Sequence, residues 1–293
     1  MAALRRVWAV ALTEWATALR SRRALVIMLL FLAGALLAMN GTISAFEKIE
    51  GELVDILGLP DSSETGAVSM TLWKSDKFVR IVRQLTGGGL VFDDILGRNP
   101  IELVYAWFVF GIAPFLTVLV SSPRVAESVR TGAARYQLLR VTRTEWSLGM
   151  FFGEALMLAA AFALAALGAW ATVSVRISPS LGLSLLPGLL DWSARVWVYA
   201  FAWLGLAVGV SHLMRSGGKA TALCIVLMVA LPVYAFLAPR HLHPMLDLIA
   251  PEAYETALWR RTPAAFLSGA AHLVILGFLY LAAGAAVFRR RDI

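Results

Sequence analysis

The sequence predicts an all-α membrane protein with six transmembrane helices, an amphipathic helix ahead of them and a helical loop after the first. Three observations carry that prediction. Hydrophobic residues make up 59% of the chain and charged residues 15%, and the mean hydropathy is +0.75, a composition outside the range of soluble globular domains. The apolar residues gather into six runs, each close to the roughly 20 residues a helix needs to cross a hydrocarbon core. Within that core no water satisfies the backbone, so each run must satisfy its own polar groups as helix.

Residues 1-23 form the first element. Leu4, Val7, Trp8, Ala11, Leu12, Trp15 and Leu19 recur at helical spacing, opposite Arg5, Arg6, Glu14 and Arg20. The pattern describes an amphipathic helix in the headgroup region, its Trp rings at the interface and its arginines against anionic lipid. A helix packed on protein fits the same pattern. The first span, Ala24 to Ala45, is longer than a signal-peptide core and lacks a small-residue cleavage site, so it reads as retained. Residues 44-100 are too many for a connector and too polar to span. Amphipathic patterns over Glu47 to Leu59 and Met70 to Leu85, with turns at Pro60 to Gly66 and Thr86 to Gly89, predict an external helical cap in which nine carboxylates outnumber six cations. Such a cap is either a substrate-contacting or partner-docking element or a lid that extends the spans.

The second and third spans, Ile101 to Val120 and Leu148 to Val173, flank a basic amphipathic segment, 121-147. The fourth and fifth, Val196 to Met214 and Ala220 to Ala238, are joined by Arg215-Ser-Gly-Gly-Lys219, enough only for a tight turn. The sixth runs from Ala264 to Phe288. Orientation follows from the cations of the short flanks. With the N-terminus in the cytoplasm, the inside holds Arg5, Arg6, Arg20, Arg22, Arg23, Arg124, Arg130, Arg135, Arg140, Arg143, Arg215, Lys219 and Arg289 to Arg291, whereas the short outside loops hold only Arg176, Arg195, Arg240, Arg260 and Arg261. Both termini are thus expected in the cytoplasm. The excess of Arg over Lys and the abundance of Ala suit a GC-rich bacterial genome, and hence a bacterial inner membrane.

Several chemistries are excluded. Gly87-Gly-Gly89 lacks the spacing and the Lys of a phosphate loop, so the chain does not hydrolyse ATP alone. Its one cysteine, Cys224, lies within the fifth span and gives neither an intrachain disulfide nor a metal site. His241 and His243, with Met245, lack a third or fourth ligand nearby and read as surface histidines, so no metal is expected. His272 reads as facing the bundle interior, and Glu154, one to two turns into its span, as snorkelling or pairing near the cytoplasmic face. No hydrolase constellation stands out, which leaves a non-enzymatic chain without a cofactor of its own.

Attention returns to the basic segment. Glu127-Ser-Val-Arg130-Thr-Gly132-Ala-Ala-Arg135-Tyr-Gln-Leu138-Leu139, then Thr142-Arg143-Thr-Glu145 and Leu148-Gly149, resembles the stretch between the second and third spans of ABC-2 type transporter permeases. Glu14 with Arg20-Ser-Arg-Arg23, and the ending Phe288-Arg-Arg-Arg-Asp-Ile293, agree with it. The sequence departs from the family pattern at Ser128, in the five-residue step from Glu127 to Gly132, in the absence of a Pro before the small-residue-Arg step, and at Met150. The resemblance implies a six-span transmembrane domain over 24-293 that pairs in the lipid bilayer with a second copy or a similar permease. Beneath it two ABC ATPase subunits would supply ATP and Mg, through 121-147 as a cytoplasmic coupling helix; nucleic acid is not an expected partner. Glu127, Arg130, Gly132, Arg135, Leu138, Leu139, Arg143 and Glu145 would form the ATPase-coupling joint, and Trp8, Glu14, Trp15 and Arg20 the functional part of the interfacial helix. The family's external re-entrant segment would fall at 239-263, with Pro244, Pro251, Tyr254 and Trp259 as the external gate. An exporter of a lipid-like or amphipathic cargo is expected. The alternatives are a membrane subunit that signals mechanically to an external partner at 44-100, and an ATP-independent carrier.

Overall fold

A computed structural model describes residues 2–20, 22–57, 94, 98–237 and 248–290, and every regular element among them is helical. The expected helix over Met70 to Leu85, the two turns beside it, His241, His243, Pro244, Met245 and the last three residues lie outside the described residues. In chain order the helices are α1 (Ala2–Arg20), α2 (Arg23–Leu57), α3 (Pro100–Ser121), α4 (Arg124–Arg130), α5 (Ala133–Leu138), α6 (Arg143–Arg176), α7 (Pro179–Leu213), α8 (Gly217–Leu237), a 3-10 turn (Pro251–Tyr254), α9 (Glu255–Trp259) and α10 (Pro263–Arg289). Among the described residues six helices are long and apolar enough to cross a membrane: Leu25–Lys48, Pro100–Arg130, Arg143–Arg176, Pro179–Leu213, Gly217–Tyr234 and Pro263–Arg289.

Local chemistry sets three of the helix starts. Asn99 caps α3 by accepting from the Ile101 amide at 2.9 Å, with Pro100 in the first turn, where its missing N–H costs nothing. Thr142 and Glu145 form a reciprocal capping box at the start of α6, and Ser178 caps α7 just ahead of Pro179. Helix α7 is the hub, packed by α3, α6 and α10, with α2 and α1 laid along α6 and α8 against α3 and α7. The Tyr105 and Ser193 hydroxyls meet at 2.7 Å between α3 and α7, and the Trp197 indole N–H donates to the Ala155 carbonyl at 2.8 Å between α7 and α6. Gly205 and Gly209 of α7 lie directly on Gly277 and Gly284 of α10, so two backbones meet where side chains would normally stand.

Three elements differ from the sequence expectation. Helix α2 runs unbroken to Leu57, joining the first span to what reads as a separate cap helix, because Phe46-Glu-Lys-Ile-Glu50 contains good helix formers and no breaker. Residues 179–195 are the first half of α7 rather than an external loop. Their glycines and Pro187 look like punctuation in sequence, yet a membrane helix tolerates them when neighbours resatisfy the backbone. His272 lies on the outward face of α10 instead of the interior, stacked on Tyr254 at 4.9 Å, since the 3-10 turn supplies an aromatic partner there.

Candidate functional site

The segment 121-147 folds as two short helices, not one. Ser122 and Pro123 separate α3 from α4, and Gly132, at φ 78, turns α4 into α5. That left-handed conformation is open to glycine and strained for a branched residue, so the spacing of Glu127, Gly132 and Leu138 in sequence has a backbone cause. Residues 139–142 then lead into the capping box of α6.

The expected site residues fall into two groups. Glu127, Arg130, Arg135 and Leu139 lie on an outward face, with Leu139 83% exposed; Tyr136, not singled out in sequence, joins them at 76%. Arg130 and Glu127 are 3.5 Å apart on that surface, and Leu138 is half-buried beneath it. Arg143 and Glu145 turn inward instead. Arg143 donates to the carbonyls of Phe288 and Arg289 at 2.9 and 2.8 Å, tying the end of α10 to the start of α6. Glu145 accepts from Arg6 at 2.7 Å and so fastens α1 to the same place.

Beneath the outward face lies a buried polar network; sequence reading expected Glu154 to snorkel or pair near the cytoplasmic face but did not identify its partner. Arg124, at the first position of α4, donates through Nε to Glu154 of α6 at 2.8 Å and through Nη2 to Glu14 of α1 at 2.8 Å. Glu14 also accepts from the Gln137 amide of α5 at 3.1 Å, and the Trp146 indole N–H donates to Gln137. On α7, the Ser211 hydroxyl accepts from the Ala126 amide at 3.0 Å, and His212 Nε2 meets the Ser147 hydroxyl at 2.8 Å. Nothing local marks Arg124 among the five arginines of the segment; only its charge is visible in sequence.

Helix α1 divides its apolar residues between two faces. Val7, Val10, Ala11 and Ala18 are buried with Glu14, and Gly149 and Gly153 of α6 make room for them: a Cβ at Gly149 would lie 2.4 Å from Val10 Cβ. Leu4, Trp8, Leu12 and Leu19 form an exposed stripe, with Trp15 half-buried and Arg20 exposed.

The candidate gate residues lie at the opposite end. Trp259 packs on Phe110 and Trp192 at ring distances of 5.0 and 4.9 Å, Pro251 is buried, and Tyr254 stacks on His272. Pro244 lies outside the described residues. Arg195, read in sequence as a loop cation, is 9% exposed within α7 and donates to the carbonyls of Leu258 at 2.6 Å and Arg260 at 3.0 Å, holding the end of α9. Burial raises both the Glu252 and the Glu255 carboxyls above the ordinary carboxylate range. Among the described residues no group of three or more metal-ligating side chains is placed to hold an ion.

No curated protein matches this sequence. The family model for "ABC-2 family transporter protein" matches residues 8–293. With six membrane helices and the basic two-helix segment between the second and third, the chain belongs to the ABC-2 family of transporter proteins, membrane subunits of ABC transporters.

Proposed function

We propose that this chain is the permease subunit of an exporter, paired in a bacterial inner membrane with a second copy or a similar permease, and driven by separate ATPases that carry ATP and Mg. The observation that supports it is the two-sided build of α4 and α5. Their outer side offers Glu127, Arg130, Arg135, Tyr136 and Leu139 to a partner. Their inner side is fixed to α1, α6 and α7 by Arg124, Gln137 and the Ala126 amide. A push on such a body from an ATPase moves several helices together, as packed elements shift in rigid-body transitions. In this reading Arg143 and Glu145 act from behind the joint, and α1 lies in the headgroup layer on its Leu4, Trp8 and Leu12 stripe.

The test is reconstitution with the cognate ATPase in proteoliposomes. Glu127→Arg is expected to abolish transport while ATP hydrolysis and membrane insertion persist. Gly132→Val, which forces a β-branched residue to positive φ at about 1–3 kcal/mol, is expected to do the same, whereas Gly132→Asn stays close to wild type. Normal transport in both Glu127→Arg and Gly132→Val overturns the coupling assignment. A second reading, mechanical signalling to an external partner, draws support from α2, which continues to Leu57 beyond the apolar stretch that ends at Lys48. Stimulation of ATP turnover by a partner protein rather than by a cargo would favour that reading.

A further inference from the structure

One face of α3 has no neighbour among the described residues. Trp107, Gly111, Phe115 and Leu119 recur every fourth residue and are all exposed, Trp107 at 76%. A Cβ at Gly111 would meet nothing within 4 Å, so the face is open along its length. Beside it Trp107, Phe108, Phe110, Ile112 and Phe115 wall a cavity of about 530 Å³, within the range that holds small organic ligands. Among the described residues its one ionisable lining residue is Glu255, at the start of α9.

Among the described residues Glu255 has a hydrogen bond and no counter-ion. Its carboxylate accepts from the Trp259 indole at 3.3 Å. Three cations of this end have other carboxylate partners. Arg98 and Arg195 meet Asp191 at 2.9 and 3.0 Å, and Arg260 is 3.4 Å from Asp94. Glu252, close by, keeps a buried carboxylate oxygen without a hydrogen-bond partner. A cation brought into this cavity would meet aromatic faces, which attract it through their quadrupoles, and a desolvated carboxylate that it neutralises.

We infer that the α3 cavity is the binding site of a bulky apolar organic cation, its charge held between Trp107, Phe108 and Glu255 and its apolar body lying along Gly111, Phe115 and Leu119. The inference rests on the permease reading only in making that cation the cargo; the site itself belongs to the isolated chain.

The experiment uses an ion pair of one shape and opposite charge. Tetraphenylphosphonium and tetraphenylborate are titrated against the purified chain in nanodiscs without an ATPase, and binding is corrected with empty nanodiscs. Wild type is expected to bind the phosphonium at least tenfold more tightly than the borate. Glu255→Gln, which keeps an acceptor for Trp259, is expected to abolish that preference, and Trp107→Ala to weaken phosphonium binding several-fold. Equal binding of the two ions, or a preference unchanged in Glu255→Gln, overturns the inference. So does the finding that the face is covered by a second copy, seen as a dimer that Trp107→Ala dissociates and that binds neither ion. Failure of the permease reading is recorded separately, as ATP turnover by the reconstituted complex that responds to no cargo.

Discussion

Without the Arg124 guanidinium, Glu14 and Glu154, at 8% and 4% exposure, would lose the ion pairs it makes with them. Breaking a buried ion pair from one side costs about 3–5 kcal/mol, because the remaining charge stays desolvated. Arg124 keeps 18% of its side chain exposed, so the lower end of that range applies. Arg124→Ala is therefore expected to lower unfolding stability in micelles by about 3 kcal/mol. Adding Glu14→Gln and Glu154→Gln to that variant should recover most of the loss, since the carboxylates, not the missing volume, carry the penalty. Lysine should not substitute well: Arg124 reaches its two partners through different nitrogens of one planar fork, and an ammonium offers a single point of charge. Denaturant titration of the three variants beside wild type checks the ordering, and a triple variant no more stable than Arg124→Ala would assign the loss to packing.

Between elements, backbone contact takes the place of the hydrophobic drive that lipid removes. At the α7–α10 seam a Cβ at Gly205 would stand 2.1 Å from the Gly277 carbonyl oxygen, and one at Gly209 would stand 2.4 Å from the Tyr280 carbonyl oxygen. The clashing atoms are backbone, so no rotamer change relieves them. Gly205→Ala and Gly209→Ala are each expected to destabilise by about 1–3 kcal/mol, whereas Gly218→Ala, with open space around it, should be neutral in the same thermal unfolding assay. The seam also illustrates what a single sequence discloses. Six spans, and the capped start of α6 at Thr142 and Glu145, are written locally, in hydropathy and in residue pairs three apart. Arg195, Glu154 and Gly188 are not. Arg195 satisfies carbonyls more than 60 residues away, Glu154 meets an arginine 30 residues earlier, and Gly188 leaves room for the Glu102 carboxylate. Each looks like a loop charge, a costly acid or a helix breaker until the distant partner is known. The resemblance alone pointed to the residues of α4 and α5 and did not separate those that face outward from Arg143 and Glu145, which are drawn inward by Phe288 and Arg6.

At the scale of the whole molecule, the hydrogen bonds gather the basic elements at one end. Arg6 meets Glu145, Arg143 meets the end of α10, and Ser122 at the α3–α4 junction meets Thr221 near the start of α8 at 2.8 Å. The arginines of α1, of α4 and α5, of the α7–α8 turn and of the C-terminal end of α10 therefore share one membrane surface. The opposite surface carries Glu252 and Glu255 with cations already engaged by Asp94 and Asp191. Cationic flanks are retained on the cytoplasmic side during insertion, so the proposed orientation, with this basic surface in the cytoplasm, makes one prediction for every loop at once. Cys224 is fully buried and gives a nearly silent background for thiol labelling. On that background Tyr136→Cys, at a site 76% exposed, is expected to react with a membrane-impermeant maleimide in inverted vesicles and not in intact cells. Thr256→Cys, exposed on α9, should react in intact cells and not in inverted vesicles. The two sites are linked by a rigid set of helices, so the reverse pattern at both would invert the whole assignment and place α4 and α5 out of reach of any cytosolic ATPase. Labelling of both from the same side would contradict the odd number of spans that separates them, α6, α7 and α8, and with it the six-span topology itself.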